Sequence, residues 1–340
     1  MNLKPTYILG IESSCDDTSA SVFRDHKKLS NVIATQAVHE SYGGVVPELA
    51  SRAHQQNIVP VVDQALKEAC VDKKDLSSIA FTLGPGLMGS LLVGSSFAKS
   101  MAMALDIPLI EVHHMQAHIL AHFINDNDKT PPEFPFLALT ISGGHTQIVK
   151  VSDFFDMQII GQTLDDAVGE AFDKCGKMLG LGYPAGPRVD KLAQTGDAHK
   201  FKFSKPKVKG LDFSFSGLKT AVLYFLQKQE KINPNFIEEN QADVCASFQK
   251  TVVDILMDKL KLAVTETGIN RIAIGGGVSA NSGIRNALKQ AETDLGWQSY
   301  IPKFEYCLDN AAMIAIVGYY KYLNKDFTDF TTTSKARLKL

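Results

Sequence analysis

The sequence predicts an α/β protein built of two lobes with similar topology. Two patterns of strand, polar turn and strand support this prediction, one over residues 7–23 and one over residues 136–150. A third turn, at residues 275–277, follows a short apolar strand and precedes a helix, and such a helix start suits a nucleotide phosphate. The length of 340 residues also exceeds what a single core usually serves. We therefore expect two lobes with a nucleotide cleft between them.

Composition and charge restrict the class of protein. With 45% hydrophobic and 21% charged residues, the chain has the composition of a globular protein. Its net charge of −2 lacks the basic excess expected of a protein that binds a large nucleic acid alone, so any such partner must meet a local patch. The 5 cysteines are widely separated, which indicates neither a disulfide framework nor a thiolate zinc site. We find no signal-peptide core and no apolar run of membrane-spanning length, and predict a cytoplasmic protein without membrane contact.

The first lobe continues as alternating strands and helices. The pattern predicts a strand at 31–37, a helix at 47–70, a buried strand at 78–83, a helix at 90–105 and a strand at 108–112. The glycines of residues 84–89 match the spacing of a dinucleotide fingerprint. Because such folds usually begin with the fingerprint strand, we interpret these glycines as close packing of a helix on its strand.

Three histidines follow the last of these strands at intervals of four residues. His114, His118 and His122 would share one face of a helix, and two imidazoles one turn apart can bind one metal ion. The residue after the first histidine is Met115, whereas a zincin protease has its glutamate general base there. The spacing therefore predicts a metal site but not a zincin.

Polar and proline-rich residues 125–135 predict the boundary to the second lobe. Beyond it, the glycines of residues 142–145 would allow positive φ and leave backbone N–H groups open to an anionic oxygen. A helix with acids in its first turn is predicted over residues 163–180, and its acidic face at Asp166, Glu170 and Asp173 either is solvated or contacts ribose hydroxyls.

The remainder of the chain contains a basic stretch and two further helices. Residues 200–210 hold five lysines and no acid, which suits either phosphate contacts or a solvated loop. A long amphipathic helix over residues 242–267 would end at Gly268. Asp309 begins the last helix, where it is either an N-cap or a third metal ligand. We expect a mobile tail over residues 325–340.

Six motifs together resemble one family. They are residues 10–18 (GIESSCDDT), 42–52 (YGGVVPELASR), the histidine pair at 114 and 118, 142–146 (SGGHT), 212–219 (DFSFSGLK) and 275–281 (GGGVSAN). In combination they are similar to the bacterial TsaD family, the tRNA N6-adenosine threonylcarbamoyltransferases that were formerly described as O-sialoglycoprotein endopeptidases. The similarity extends from residue 7 to residue 320.

The resemblance implies the actin-like ATPase fold shared by actin, Hsp70 and sugar kinases. The first lobe would be residues 1–132, completed by a C-terminal helix at about 306–324, and the second lobe would be residues 133–305. The family's reaction transfers threonylcarbamoyl from threonylcarbamoyl-AMP to N6 of the adenosine 3′ of the anticodon, in tRNAs that read codons beginning with A, and releases AMP.

The resemblance also implies site residues, cofactors and partners. His114, His118 and Asp309 would bind one divalent metal ion, iron as the first choice and zinc as the alternative, and with Glu12 they form the expected catalytic set. The adenylate substrate, or ATP or AMP, would be bound by Thr140, Ile141, Ser142, Gly143, Gly144, Asp173, Gly186 and Asn281. The expected partners are tRNA, a TsaB-like paralogue and a TsaE-like ATPase. Two rival functions stay open, a metal-dependent glycoprotein endopeptidase and an actin-fold ATPase or kinase.

Overall fold

The structure is a computed structural model that describes residues 5–125 and 130–340. Residues 126–129, which belong to the predicted lobe boundary, lie outside the described residues. The chain divides into two compact units, the first formed by Met1–Pro132 with Pro302–Leu340 and the second by Glu133–Ile301. Each unit contains one five-stranded sheet with helices packed on it.

The first sheet is built around the N-terminal strand. Its strands are β1 (Tyr7–Glu12), β2 (Thr18–Arg24), β3 (Lys27–Ala34), β4 (Ser78–Gly84) and β5 (Leu109–His113), in the order β3-β2-β1-β4-β5. β1 is antiparallel to β2 and parallel to β4. Because β1 and β4 are buried along nearly their whole length, they read as continuous apolar runs rather than as alternating ones.

Three helices of the first unit connect or follow these strands. They are α1 (Pro47–Ala69), α2 (Met88–Leu105) and α3 (His114–Leu120), and a 3₁₀ turn, Ala121–Phe123, follows α3 directly. α1 begins with a proline, whose missing N–H costs nothing at a helix start, and it ends at Cys70 in the left-handed region. The prediction that His122 continues the helix is wrong, because the backbone tightens to 3₁₀ geometry after Leu120.

The second sheet repeats the topology of the first. Its strands are β6 (Phe136–Ile141), β7 (Thr146–Asp153), β8 (Asp156–Gln162), β9 (Arg271–Gly275) and β10 (Gln298–Tyr300), in the order β10-β9-β6-β7-β8. β6 is antiparallel to β7 and parallel to β9, as β1 is to β2 and β4. The predicted α/β fold with two similar halves is therefore confirmed.

Five helices of the second unit pack around this sheet. They are α4 (Val168–Met178), α5 (Gly186–Ala193), α6 (Ser216–Glu230), α7 (Phe236–Thr267) and α8 (Ser282–Leu295). α7 ends at Gly268, whose φ of +71° gives the predicted left-handed stop. α4 begins at Val168, so the prediction that the helix starts near Thr163 is wrong. The acids Asp165 and Asp166 precede α4 and bond to other segments.

The last helix, α9 (Ala311–Leu323), returns to the first unit and lies on β1 and β4. Glycines allow this close approach: a Cβ on Gly10 would lie 2.5 Å from the carbonyl oxygen of Ala311, and one on Gly318 would lie 2.5 Å from Cβ of Ala80. The chain beyond α9 also lies against the first unit, where Thr328 N–H donates to the carbonyl of Leu109 at 2.8 Å. The mobility expected of this tail stays a prediction.

α2 is long and apolar enough, by length and composition alone, to cross a membrane. One such helix is weak evidence, since core helices pass the same test. Here one side of α2 is buried against the first unit, through Leu91, Gly94 and Ala98 among others. The absence of membrane contact stays a prediction.

Candidate metal centre and nucleotide-binding loops

Two histidines and one aspartate of the first unit converge on a small volume. Nε2 of His118 lies 3.2 Å from Oδ1 of Asp309, and Nε2 of His114 lies 3.4 Å from the same oxygen. One ligand atom from each residue lies within 4.8 Å of the other two. The rings of the two histidines are nearly perpendicular, with centroids 4.7 Å apart. The predicted cluster of three is therefore brought together.

The local sequence explains where these side chains lie. β5 ends at His113 and α3 begins at His114, so the interval of four residues stacks His114 and His118 on one face of α3. His113 caps the helix, since its Nδ1 accepts a hydrogen bond from the N–H of Met115 at 3.1 Å. His122 follows in the 3₁₀ turn and is not part of the cluster of three.

Asp309 is held in place by the start of α9. The N-cap of α9 is Asn310, whose Oδ1 accepts from Met313 N–H at 3.1 Å, so the alternative that Asp309 caps the helix is wrong. The N–H groups of Ala311 and Ala312 are bonded in turn to Oγ of Ser19 and Oδ1 of Asn31 in the first sheet. Because these N–H groups already have acceptors, they do not bind the carboxylate of Asp309, which contacts the two histidines instead.

Glu12 contacts His114 at Nδ1, whereas Asp309 contacts the same ring at Nε2. Its Oε2 lies 3.1 Å from Nδ1 of His114 and accepts a hydrogen bond from Oγ1 of Thr82 at 2.7 Å, while its Oε1 accepts from Ser14 N–H at 2.5 Å. A carboxylate in this position accepts a hydrogen bond from Nδ1–H and leaves the Nε2 lone pair for a metal ion. Glu12 therefore acts on the candidate centre through His114, as a positioning residue.

The electrostatics of the cluster favour a positive charge. Burial alone would lower the pKa of His114, but the carboxylates of Asp309 and Glu12 raise that pKa well above its usual value. Burial would raise the pKa of Asp309, and the charge and hydrogen bond of His114 instead lower it. His118 has a lowered pKa, because it is desolvated and lies beside His114.

The donor set fits a transition-metal ion. Two imidazole nitrogens and one carboxylate oxygen are ligands that zinc and iron(II) both accept, and three protein ligands leave positions open for a substrate. Nδ1 of His118 is buried without a hydrogen-bond partner among the described residues, and Nε2 is the ring nitrogen that faces Asp309. The residues present therefore fit the implied metal.

The glycine turn of the second unit has a defined internal structure. Thr140 and Ile141 are buried at the end of β6, and Oγ1 of Thr140 has no partner among the described residues. Oγ of Ser142 accepts hydrogen bonds from the N–H groups of Gly144 at 3.3 Å and His145 at 3.1 Å. The carbonyl of Ser142 accepts from Gly169 N–H near the start of α4, which ties the turn to that helix.

Gly143 and Gly144 have no side chain to cover the backbone of this turn. Neither residue adopts the positive φ that glycine would allow here. A Cβ built on either glycine would meet nothing within 4 Å. The space in front of this backbone is therefore open to an approaching oxygen, although Gly144 N–H already donates to Oγ of Ser142.

Asp173 links α4 to the start of α5. Its Oδ1 accepts from the N–H groups of Ala185 at 2.8 Å and Gly186 at 3.2 Å. Burial raises the pKa of this carboxyl more than the two hydrogen bonds lower it. The predicted acidic helix face is wrong in part, because Asp166 precedes α4 and pairs with Lys174 and Lys219.

Asn281 is placed as the N-cap of α8. Its Oδ1 accepts from Ile284 N–H at 3.1 Å, and its Nδ2 donates to Oε1 of Gln249 at 2.7 Å. Both polar atoms of the amide are thus engaged within the protein. The glycine turn before it requires a left-handed residue at Gly276, where φ is +87° and a Cβ would lie 2.5 Å from the carbonyl oxygen of Ile141.

Comparison with known proteins gives the family. The sequence model for TsaD, tRNA N6-adenosine threonylcarbamoyltransferase, matches residues 27–316. The chain belongs to the TsaD family. A family member from Christiangramia forsetii is 68% identical over 332 residues, which cover 98% of each chain. A second, from Riemerella anatipestifer, is 61% identical over 338 residues, covering 99% of each chain. Both carry the name tRNA N6-adenosine threonylcarbamoyltransferase.

Solved structures support the fold of this TsaD family member. Full-length HypF in its phosphate- and nucleotide-bound form aligns with a TM-score of 0.62 at 16% identity, over 95% of this chain and 47% of that one. Component A of the (R)-2-hydroxyglutaryl-CoA dehydratase of Acidaminococcus fermentans aligns with a TM-score of 0.52 at 17% identity, over 94% of this chain and 99% of that one. At these identities the likeness shows the fold alone, and it confirms the actin-like ATPase fold.

Several residues around the TsaD-family motifs were not found from the sequence. Ser14 and Thr82 fix Glu12, and Asp190 accepts hydrogen bonds from Gln249 and from both N–H and Oγ of Ser282. Except for Ser14, these partners come from distant parts of the chain. Ser14 alone had a signal, because it lies within the first motif.

The basic stretch is partly neutralised by α7. Nζ of Lys200 lies 2.6 Å from Asp243, and Nζ of Lys205 lies 2.7 Å from Asp258. The side chains of Lys202, Lys207 and Lys209 are exposed and form no ion pair with any described residue. These exposed lysines suit both predicted interpretations, a solvated loop and a phosphate contact.

Proposed function

We propose that the chain transfers a threonylcarbamoyl group to N6 of an adenosine in tRNA. The observation that carries this function is family membership at up to 68% identity over nearly the full length of a relative with that activity in its name. We further propose threonylcarbamoyl-AMP as the donor and the adenosine 3′ of the anticodon as the acceptor, in tRNAs that read codons beginning with A. AMP would be the second product.

The reaction makes modest demands on the protein. The N6 amine attacks the carbamoyl carbon, a C–N bond forms, the C–O bond to the phosphate breaks, and the amine loses a proton as AMP leaves. Because the leaving group of a mixed anhydride is already good, the protein mainly orients the amine and stabilises a developing oxyanion. The open backbone at Gly143 and Gly144 suits an anionic oxygen, and Asp173 suits ribose hydroxyls.

The metal centre would supply the other part of the chemistry. An iron or zinc ion on His114, His118 and Asp309 would act as a Lewis acid toward an oxygen of the substrate. By accepting a hydrogen bond from Nδ1–H of His114, Glu12 would hold the proton on Nδ1 and so present Nε2 to that ion. Iron is our first choice, and the donor set suits zinc as well.

The endopeptidase alternative lacks the general base of a zincin. Glu12 contacts His114, but both its oxygens already accept hydrogen bonds, from Ser14, Thr82 and His114. No acid stands at Met115, where a zincin has its base. An ATPase or kinase shares the fold, and only activity separates it from a transferase.

One assay separates the three functions. The chain is supplied with threonylcarbamoyl-AMP and an anticodon stem-loop RNA, and we expect modified adenosine and AMP in equal amounts. With ATP in place of the adenylate, ATP turnover without any modified RNA would favour the ATPase alternative. Cleavage of a glycoprotein substrate under the same conditions would favour the endopeptidase.

We expect the chain alone to be a poor catalyst that works in a complex with a TsaB-like paralogue and a TsaE-like ATPase. Its net charge of −2 gives little phosphate affinity of its own. The outward row of α2 supports a protein partner, because Met88, Leu92 and Met103 are 45%, 48% and 64% exposed. Modified RNA per enzyme is measured with and without both partners, and Leu92→Asp should reduce the gain. Full multiple turnover by the chain alone would contradict this prediction.

The lysines without ion pairs should contribute to RNA affinity. We expect Lys202→Ser with Lys207→Ser to weaken binding of all tRNAs alike and to lower the salt slope by about 1 for each phosphate contact that the substitution removes, because phosphate contacts carry no base information. Lys205→Ser is the matched control and should have a smaller effect, since Asp258 already neutralises Lys205. Binding is measured by titration at several salt concentrations. Unchanged RNA affinity together with weaker adenylate binding would mean that these lysines bind the adenylate and not the RNA.

A further inference from the structure

The C-terminal segment is bonded to a turn that supports the candidate metal centre. N–H of Lys335 donates to the carbonyl of Leu83 at 2.9 Å, and the carbonyl of Ala336 accepts from Gly86 N–H at 3.2 Å. We propose that residues 332–336, the C-terminal strap, are positioning residues that keep the turn of residues 83–87 where the Glu12, Ser14 and His114 assembly requires it. This inference rests on the proposed metal centre for its functional consequence.

The strap is anchored at several points of its own. Oγ of Ser334 is buried, 3.0 Å from Oγ of Ser95 on α2, and Nζ of Lys99 donates to the carbonyl of Thr332. Gly84 has a φ of +152°, and a Cβ there would lie 1.9 Å from the carbonyl oxygen of Lys335. The strap therefore lies in a space that exists only because residue 84 is a glycine.

The turn in contact with the strap packs directly against Ser14. A Cβ on Gly86 would lie 2.4 Å from the carbonyl oxygen of Ser14, and Leu87 N–H donates to that oxygen at 2.7 Å. One turn thus carries both the amide that bonds the strap and the amide that bonds Ser14. Displacement of the strap would break the hydrogen bond of Gly86 N–H and weaken that of Leu87 N–H to Ser14.

Ser14 in turn contacts Glu12 and the candidate metal ligand His114. Its N–H donates to Oε1 of Glu12 at 2.5 Å, and its Oγ lies 3.2 Å from Nδ1 of His114. Partners of a ligating histidine determine the orientation of its ring, and their loss typically lowers metal affinity about 10- to 100-fold. The strap lies one contact further out, so we expect an effect at the lower end of that range.

The test compares Lys335→Pro with Lys335→Ala. Proline removes the N–H that donates to Leu83, whereas alanine keeps it and loses only the exposed side chain. Two measurements are made on each full-length variant: amide hydrogen exchange at Ser14, Gly86 and Leu87 without metal, and the affinity for Zn²⁺ by competition with a chelating dye. Lys335→Pro should exchange faster at all three amides and raise the Zn²⁺ Kd about tenfold. Lys335→Ala should match the unsubstituted protein.

Other outcomes separate the strap from the metal centre. Faster exchange at Gly86 with unchanged exchange at Ser14 and unchanged Zn²⁺ affinity would overturn the proposal, as would no change at any of the three amides. If the unsubstituted protein binds no Zn²⁺ or Fe²⁺ while Ser14 still responds to Lys335→Pro, the metal centre fails and the strap stands. If Lys335→Pro does not fold, Lys99→Met takes its place, because it removes the hydrogen bond to the carbonyl of Thr332. The same two measurements then test the proposal, and we expect smaller changes in the same directions.

Discussion

Asp309→Ala is expected to lose bound metal and to lower the transfer rate on the order of 10³-fold, with His114→Ala and His118→Ala behaving alike. A Lewis-acid metal contributes several kcal/mol to the transition state, and each ~1.4 kcal/mol is a factor of ten in rate. All three residues supply an atom to one cluster, so removal of any one leaves only two protein ligands. Metal content of the purified variants and single-turnover rates with threonylcarbamoyl-AMP measure the two effects together.

The matched control for this prediction is His122→Ala. His122 lies in the same run of histidines but in the 3₁₀ turn after α3, so it should keep both metal and activity. Thermal unfolding of each variant shows whether the fold survives. Full metal occupancy in Asp309→Ala would remove that residue from the site, and metal loss in His122→Ala would mean that the wrong pair of histidines was chosen.

The sequence alone predicted those parts of the site that depend on neighbouring residues. The interval from His114 to His118 is one helical turn, so their pairing required no knowledge of the rest of the chain. The strand and turn patterns around β1 and β6 were found for the same reason, since an apolar run followed by a polar turn is a local signal. Asp309 was placed only by resemblance.

The errors fall where distant segments decide local structure. α4 starts late because Asp165 bonds to Ser214 and Ser216, near the start of α6, about 50 positions further along the chain. Asn310 rather than Asp309 caps α9, because its Oδ1 reaches Met313 N–H while Asp309 meets His114 and His118 from the first half of the chain. No periodicity or spacing carries information of this kind, and the strap was missed for the same reason.

Asp173→Ala is expected to weaken AMP binding about 10- to 100-fold. The carboxylate accepts two amide hydrogen bonds through Oδ1, from Ala185 and Gly186, which leaves Oδ2 for a ribose hydroxyl. Removing a partner of buried backbone N–H groups costs about 1–3 kcal/mol, and the ribose interaction disappears as well. Calorimetric titration with AMP measures the affinity without any need for tRNA, metal or partner proteins. Asp173→Asn should lose less, because its carbonyl oxygen can still accept from the two amides.

Asp165→Ala is the matched control, because it makes a similar structural change without the proposed ribose contact. Asp165 also accepts backbone hydrogen bonds at a helix start, from Phe215 at 2.8 Å and Ser216 at 3.2 Å. Burial would raise its pKa, but the hydroxyls of Ser214 and Ser216 and these amides hold the pKa at about 2, so the carboxylate is ionised at neutral pH. Asp165→Ala should therefore loosen the start of α6 and keep AMP affinity. Equal loss of AMP binding in both variants would mean that Asp173 acts only by supporting the fold of the second unit, and unchanged affinity in Asp173→Ala would remove it from the nucleotide site.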